Sequence, residues 1–188
     1  NGTERLKIDE DGAITFTGEL AFSDAQLNTV IGTNAGNSFT GTDASSNTLI
    51  GYDAGTAITS GDYVTAVGAY ALAANTANDS TAVGYVSLYS NTTGARNTAL
   101  GRGSLTVNTT THDNTGLGYY ALNGNIGTGN TGVGSYCLSN NTSGLYNTAL
   151  GYASLYSNVD GDYNVAIGYH SLYTFEADTD GHGRNTAI

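Results

Sequence analysis

Four aspartates come closest, by type and spacing, to a chemical site in this chain. Asp160 and Asp162 stand nine and eleven residues past Gly151 in a repeat of about seventeen residues. The next unit is lengthened through residues 174–184, which carry Asp178 and Asp180. If successive units stack about 4.8 Å apart, these carboxylates come within roughly 5 Å of one another and repel unless bridged. Hard oxygen ligands at a glycine-containing turn suit Ca²⁺, so Asp160, Asp162, Asp178 and Asp180 form a candidate calcium site. The plainer reading is solvated turn residues making Asx turns, since no EF-hand loop or RTX nonapeptide is present. Asp62 and Asp79, each eleven past its glycine, share one slot on the same count.

The other reactive side chains offer less. His112, His170 and His182 are isolated in sequence, and no Cys-x-x-Cys, His-x-x-x-His or Glu-x-x-His pair offers zinc a ligand set. Cys137 falls in a column otherwise filled by Ser and Ala, which makes it a packing residue. Gly127-Thr128-Gly129 lacks the strand-to-helix setting that phosphate binding needs. A hexapeptide-repeat acyltransferase needs coils in multiples of six residues, which seventeen is not. An ice-binding face needs paired Thr-x-Thr, whereas here Ala follows the Thr. The 14 tyrosines fall in a few columns: Tyr52, Tyr85, Tyr119, Tyr152 and Tyr169 one past the glycine, Tyr70, Tyr120 and Tyr136 two past. Tyr89, Tyr156 and Tyr173 lie five past, and Tyr63, Tyr146 and Tyr163 five before. Such rings either make a sugar-binding platform or cover a thin core or an intersubunit seam.

The elements that must position these residues follow from the repeat. Its glycine recurs at Gly32, Gly51, Gly68, Gly84, Gly101, Gly118, Gly134, Gly151 and Gly168, a mean interval of 17 residues. The residue before the glycine is always β-branched or Leu, from Ile31 to Ile188. Two before it stands Ala or Gly in eight of ten copies, with Val30 and Leu49 the exceptions, and three before it is Thr in nine. Leu recurs four past the glycine from Leu72 to Leu172, preceded by a small residue, and Asn seven past from Asn75 to Asn158. Each unit reads as two very short strands, Thr-small-aliphatic and small-x-Leu, with the glycine at the bend. Stacking pairs every backbone with the next unit, and nine or ten coils make a rod roughly 40 Å long. The Ala and Gly column (Ala66, Ala82, Ala99, Gly116, Gly132, Ala149, Ala166) is expected to be a smooth outer face that another chain approaches closely.

Composition bounds the function. Leu, Val, Ile and Phe make up 36 of 188 residues, whereas Asn, Thr, Gly and Ser make up 90. Periodic stacking is therefore what separates the chain from disorder. With 5 Lys and Arg against 16 Asp and Glu, the formal charge is −11, which excludes nucleic acid as a partner. The apolar runs are a few residues long, too short for membrane insertion by a helix. Residues 1–27 differ from the repeat: Leu6-Lys7-Ile8 and Ala13-Ile14-Thr15-Phe16 flank Asp9-Glu10-Asp11-Gly12, which reads as a hairpin capping the first coil, with the solenoid array over 28–188.

Asn147-Thr148-Ala149-Leu150-Gly151-Tyr152-Ala153-Ser154-Leu155-Tyr156-Ser157-Asn158 and its sister copies resemble the repeat arrays of bacteriophage tail-fibre and tailspike proteins. Those arrays often precede a self-cleaving chaperone of the endosialidase type. The units are also similar to the head repeats of trimeric autotransporter adhesins, whose core is Asn-Ser/Thr-x-Ala-Ile-Gly, although seventeen residues exceed the usual adhesin unit. The resemblance covers 28–188 and implies an all-β fold: a parallel β-roll or β-helix, left-handed, assembled as a homotrimer. It implies a non-enzymatic, extracellular segment on a virion surface that serves attachment to a host cell-surface receptor or glycan. A bacterial surface adhesin head is the alternative, and a glycan-acting tailspike enzyme or an ice-binding solenoid lies further off. Whether each chain coils on itself or three intertwine stays open at this level.

Overall fold

The computed structural model describes residues 5–8, 14–17, 26–39, 43–174 and 183–188, and among these the chain is all-β with no helix. Strands β1 (Arg5–Ile8) and β2 (Ile14–Thr17) pair antiparallel, with Leu6 opposite Phe16 and Ile8 opposite Ile14. The acidic turn between them lies outside the described residues. The remaining ten strands, from β3 (Thr29–Ile31) to β12 (Thr186–Ala187), form one parallel sheet in strict sequence order. Pairing is column on column: Thr98 on Thr115, Ala99 on Gly116, Leu100 on Leu117. The chain therefore coils on itself as a parallel β-solenoid of about nine coils, one repeat per turn.

The structure corrects the second strand. At the small-x-Leu segment there is a turn, in which every Leu from Leu72 to Leu172 has φ between 48° and 54°. The residue two places earlier is left-handed as well, for example Tyr70, Tyr120, Tyr136, Ala153 and His170 at 50° to 60°. An L-residue in this region costs about 1–2 kcal/mol. Two effects offset it. The side chains of Leu72, Leu88, Leu105, Leu122, Leu138 and Leu155 are wholly buried. Their amides bond to the following coil, as in Leu122 N–H donating to Cys137 O at 2.8 Å and Leu105 N–H to Ala121 O at 3.0 Å. Gly36 and Gly55 occupy the Leu slot in the first two coils at φ 56° and 57°, a sign of left-handed backbone legible in the sequence.

The alternation within each strand also runs opposite to expectation. Ala66, Ala82, Ala99, Ala149 and Ala166 have no exposed surface, whereas the flanking Thr and aliphatic residues stand on the outside. The Ala and Gly column is core, not an outer face. A narrow coil explains this, because its interior already holds the Leu, a second small residue and two Asn, leaving room for a methyl group at most. A Cβ on Gly116 would lie 2.5 Å from Ser104 Oγ. Where the Leu is absent, larger residues turn inward. Leu49 and Ile58 fill the space beside Gly55, whose Cβ would meet each at 2.8 Å.

Two features fix the coil spacing. The bend glycines from Gly32 to Gly168 have φ between 122° and 137°, and a Cβ on Gly118 would lie 2.6 Å from the backbone of Gly134. The second feature is two buried Asn columns. In one, Asn91 Nδ2 donates to Asn75 Oδ1 at 2.6 Å, Asn141 to Asn125 at 2.6 Å and Asn158 to Asn141 at 2.6 Å. In the other, just before the strand, Asn Oδ1 accepts the backbone N–H one coil on: Asn114 Oδ1 from Asn130 N–H at 2.9 Å, Asn147 Oδ1 from Asn164 N–H at 2.8 Å. Both columns hold the same corner carbonyl, so that Gly144 O accepts from Asn130 and Asn141, each at 2.8 Å. The corner carbonyls of Thr111, Gly127, Gly144 and Gly161 are each held in this way from both columns, as a buried loop demands.

Candidate functional site

The bend glycine sends the chain outward, and the left-handed residue two places on splays its side chain to the surface. Rings in these columns meet those five past the glycine to form one ridge along the rod. Tyr52 contacts Tyr70 edge-on at 5.3 Å between centroids, and Tyr70 contacts Tyr85 and Tyr89 at 6.2 Å. Arg102 continues the line, its guanidinium 5.5 Å from the Tyr85 ring and 6.0 Å from Tyr119. Tyr120 stacks on Tyr136 at 6.0 Å and 6°, and Tyr136 meets Tyr152 at 6.2 Å. Tyr152 stacks on Tyr169 at 5.5 Å, and Tyr156 on Tyr173 at 5.0 Å. His170, which sequence reading left isolated, joins the ridge 4.0 Å from Tyr169 and 4.5 Å from Tyr173. Tyr63, Tyr146 and Tyr163 sit at a different corner, where Tyr146 and Tyr163 stack at 5.3 Å and Arg184 lies 5.9 Å from Tyr163.

Grooves open where a ring is missing from these columns. Ala153 stands where Tyr136 and His170 stand in adjacent coils, and with them and Tyr152, Tyr156, Tyr169 and Tyr173 it lines a groove of about 470 Å³. Ala73 and Ala74 leave a second groove of about 420 Å³ beside Asp53, Tyr70 and Tyr89. Tyr70 and Tyr136 hold their phenolic protons above the ordinary range, through desolvation first and then, respectively, the Tyr52 charge and a hydrogen bond with the Tyr119 side chain. Both remain neutral donors at physiological pH.

The aspartates go elsewhere. Asp162 Oδ1 accepts the Leu145 N–H of the preceding coil at 2.7 Å, and Asp62 Oδ1 does the same for Ser45 at 2.7 Å. His112 Nδ1 fills this role for Ala95 at 3.0 Å. Asp79 does not share the slot of Asp62. The unit between Gly68 and Gly84 is a residue short, so Asn78 takes that position and Asp79 moves to the next, left-handed one at φ 57°. Asp160 is exposed, while Asp178 and Asp180 lie outside the described residues. Among the described residues no group of three His, Cys, Asp or Glu is placed to hold a metal. Arg96 and Asp113 form an exposed ion pair at 2.7 Å, and the hydrogen bond from Arg96 holds the Asp113 carboxyl below its ordinary value.

No family model, curated protein or solved structure matches this chain. No described helix is long and apolar enough to cross a membrane. What the geometry offers is an aromatic ridge with grooves of about 470 and 420 Å³ along it. Sequence reading found the tyrosine columns but missed Arg102, His170 and the Ala153 gap. Aligning the two positions after each glycine was the signal available, since all three fall in those columns.

Proposed function

We propose that this chain is a non-enzymatic structural segment of a trimeric virion fibre of the phage tail-fibre type, acting outside the cell in host attachment. The observation that supports this reading is the outer face of the ten-stranded sheet. Its aliphatic column runs the length of the rod, with Leu100 and Leu150 each 46% exposed and Ile31 41% exposed. A flat strip of Thr methyls and aliphatics is unusual on a lone soluble chain, and a second and third copy would cover it. The solenoid is read as left-handed, and the β1–β2 hairpin as the cap on its first coil, shielding the open edge of β3. In this reading the aromatic ridge stays outward for receptor or glycan contact.

Light scattering on the purified protein tests the assembly. The expected mass is about three times the 19.2 kDa of one chain, and a stable monomer at micromolar concentration refutes it. The parent gene tests the setting. An endosialidase-type chaperone domain downstream supports the fibre, and a membrane anchor supports the bacterial adhesin head instead.

A further inference from the structure

We infer that the groove over Ala153 is a binding site for an uncharged pyranose, either a terminal or an internal sugar of a neutral glycan. The proposal deepens the attachment reading above and rests on it for its biological setting. Three observations carry it. First, the lining is aromatic almost throughout: Tyr152 pairs with Tyr169 at 14° and Tyr156 with Tyr173 at 8°, His170 lies 4.0 Å from Tyr169, and Tyr136 completes it. A ring face is negative and takes the slightly positive C–H groups that line one side of a pyranose. Second, the polar side-chain groups of the lining residues are phenolic hydroxyls and the His170 imidazole, which donate and accept and so match vicinal sugar hydroxyls. Third, no carboxylate, ammonium or guanidinium lines the groove, and the chain carries −11 overall, which disfavours sialylated or otherwise acidic glycans. The volume, about 470 Å³, lies within the usual range for a small-molecule site.

The gap itself is what makes the site. In the same column Tyr120 and Tyr136 stand on successive coils and stack at 6.0 Å, leaving no space between them. Ala153 has φ 50°, close to Tyr120 at 51° and Tyr136 at 57°, so a ring is tolerated at this backbone. Ala153→Tyr therefore fills the groove with a residue the fold already uses there. Tyr152→Ser is a second variant of the same kind, since Ser135 occupies that column one coil earlier.

The test uses the whole protein with methyl β-glucopyranoside, methyl β-galactopyranoside, methyl α-mannopyranoside and N-acetylglucosamine as probes. Saturation-transfer NMR reports contact with the sugar. Tyrosine emission reports the groove, because the chain has no Trp. The expected result is saturable millimolar binding of at least one probe, with transfer strongest to protons on one sugar face. Binding should weaken by about tenfold or more in Ala153→Tyr and in Tyr152→Ser, while Tyr146→Ala at the other corner leaves it unchanged. Melting midpoints taken in parallel show that the variants fold. Lack of saturable transfer from all four probes overturns the proposal, as does wild-type affinity in a folded Ala153→Tyr variant. A groove buried between chains overturns it too, and shows itself as an altered assembly mass in Ala153→Tyr. Binding of the wild-type protein to intact cells, measured separately, reports on the attachment reading alone, so the two ideas fail independently.

Discussion

Replacing Gly118 by Ala separates the two reasons a coil needs glycine at its bend. At Gly118 the backbone has φ 134°, and a Cβ would sit 2.6 Å from both C and O of Gly134. Gly168 shares the dihedral, at 122°, but in the 188-residue chain no further bend glycine packs on it, and a Cβ there meets nothing within 4 Å. The conformational strain of forcing Ala into this region, about 1–3 kcal/mol, is common to both. Only Gly118→Ala must also open the coils by roughly 1 Å to reach ordinary carbon contact. That displacement stretches the Gly134 N–H to Leu117 O bond, now 2.7 Å, and a lost bond with overpacking adds about 2 kcal/mol or more. The expected totals are therefore about 3–5 kcal/mol for Gly118→Ala and about 1–3 kcal/mol for Gly168→Ala. Urea unfolding followed by far-ultraviolet circular dichroism measures both. Gly118→Ala should also broaden the transition, because a lesion in mid-array divides a nearest-neighbour system into two units. Equal losses in the two variants would refute the close-approach argument and leave the dihedral as the sole cause.

Three further outcomes follow from the interior and the outer face. Asn141→Leu strips donors from Asn125 Oδ1 and Gly144 O and the acceptor from Asn158 Nδ2, costing about 3 kcal/mol in denaturant melts. Asn158→Leu should cost less, since Asn158 Oδ1 has no partner among the described residues. Burial pushes the Cys137 thiol up to about 11 from 9.0. Folding thus favours the neutral thiol, and that stability is fully present below pH 9 and lost as pH rises through 11, on the order of 2 kcal/mol. Cys137→Ser, matching Ser104 and Ser154 in its column, should be near neutral at pH 7 and lack this share of the alkaline loss, read as the difference between the two proteins' pH–stability curves. Leu100→Glu on the outer face should lower the scattering mass with little change in circular dichroism, whereas Ala99→Leu, buried in the coil, should destabilise the coil itself.

The sequence by itself determined the period, the bend glycine, the parallel stacking and the place of the Asn column seven past each glycine. Each depends on identity repeated in register: a position satisfied once against its copy is satisfied in every coil. Among the described residues every element is a strand. The direction of each strand's alternation was decided by the tertiary structure alone. Thr-Ala-Leu alternates equally well either way, and only the volume already taken by Leu105, Leu122 and the Asn columns puts Ala99 inside and Leu100 outside. The left-handed turn at the Leu column was hidden for a related reason. Leucine does not favour that backbone, and only full burial and the inter-coil hydrogen bonds make it worthwhile. Gly36 and Gly55 were its one trace in the sequence. The absence of a ring at Ala153 was legible in the aligned columns, but the groove is tertiary, because only stacking brings Tyr136, His170 and the rings of two other columns around that gap.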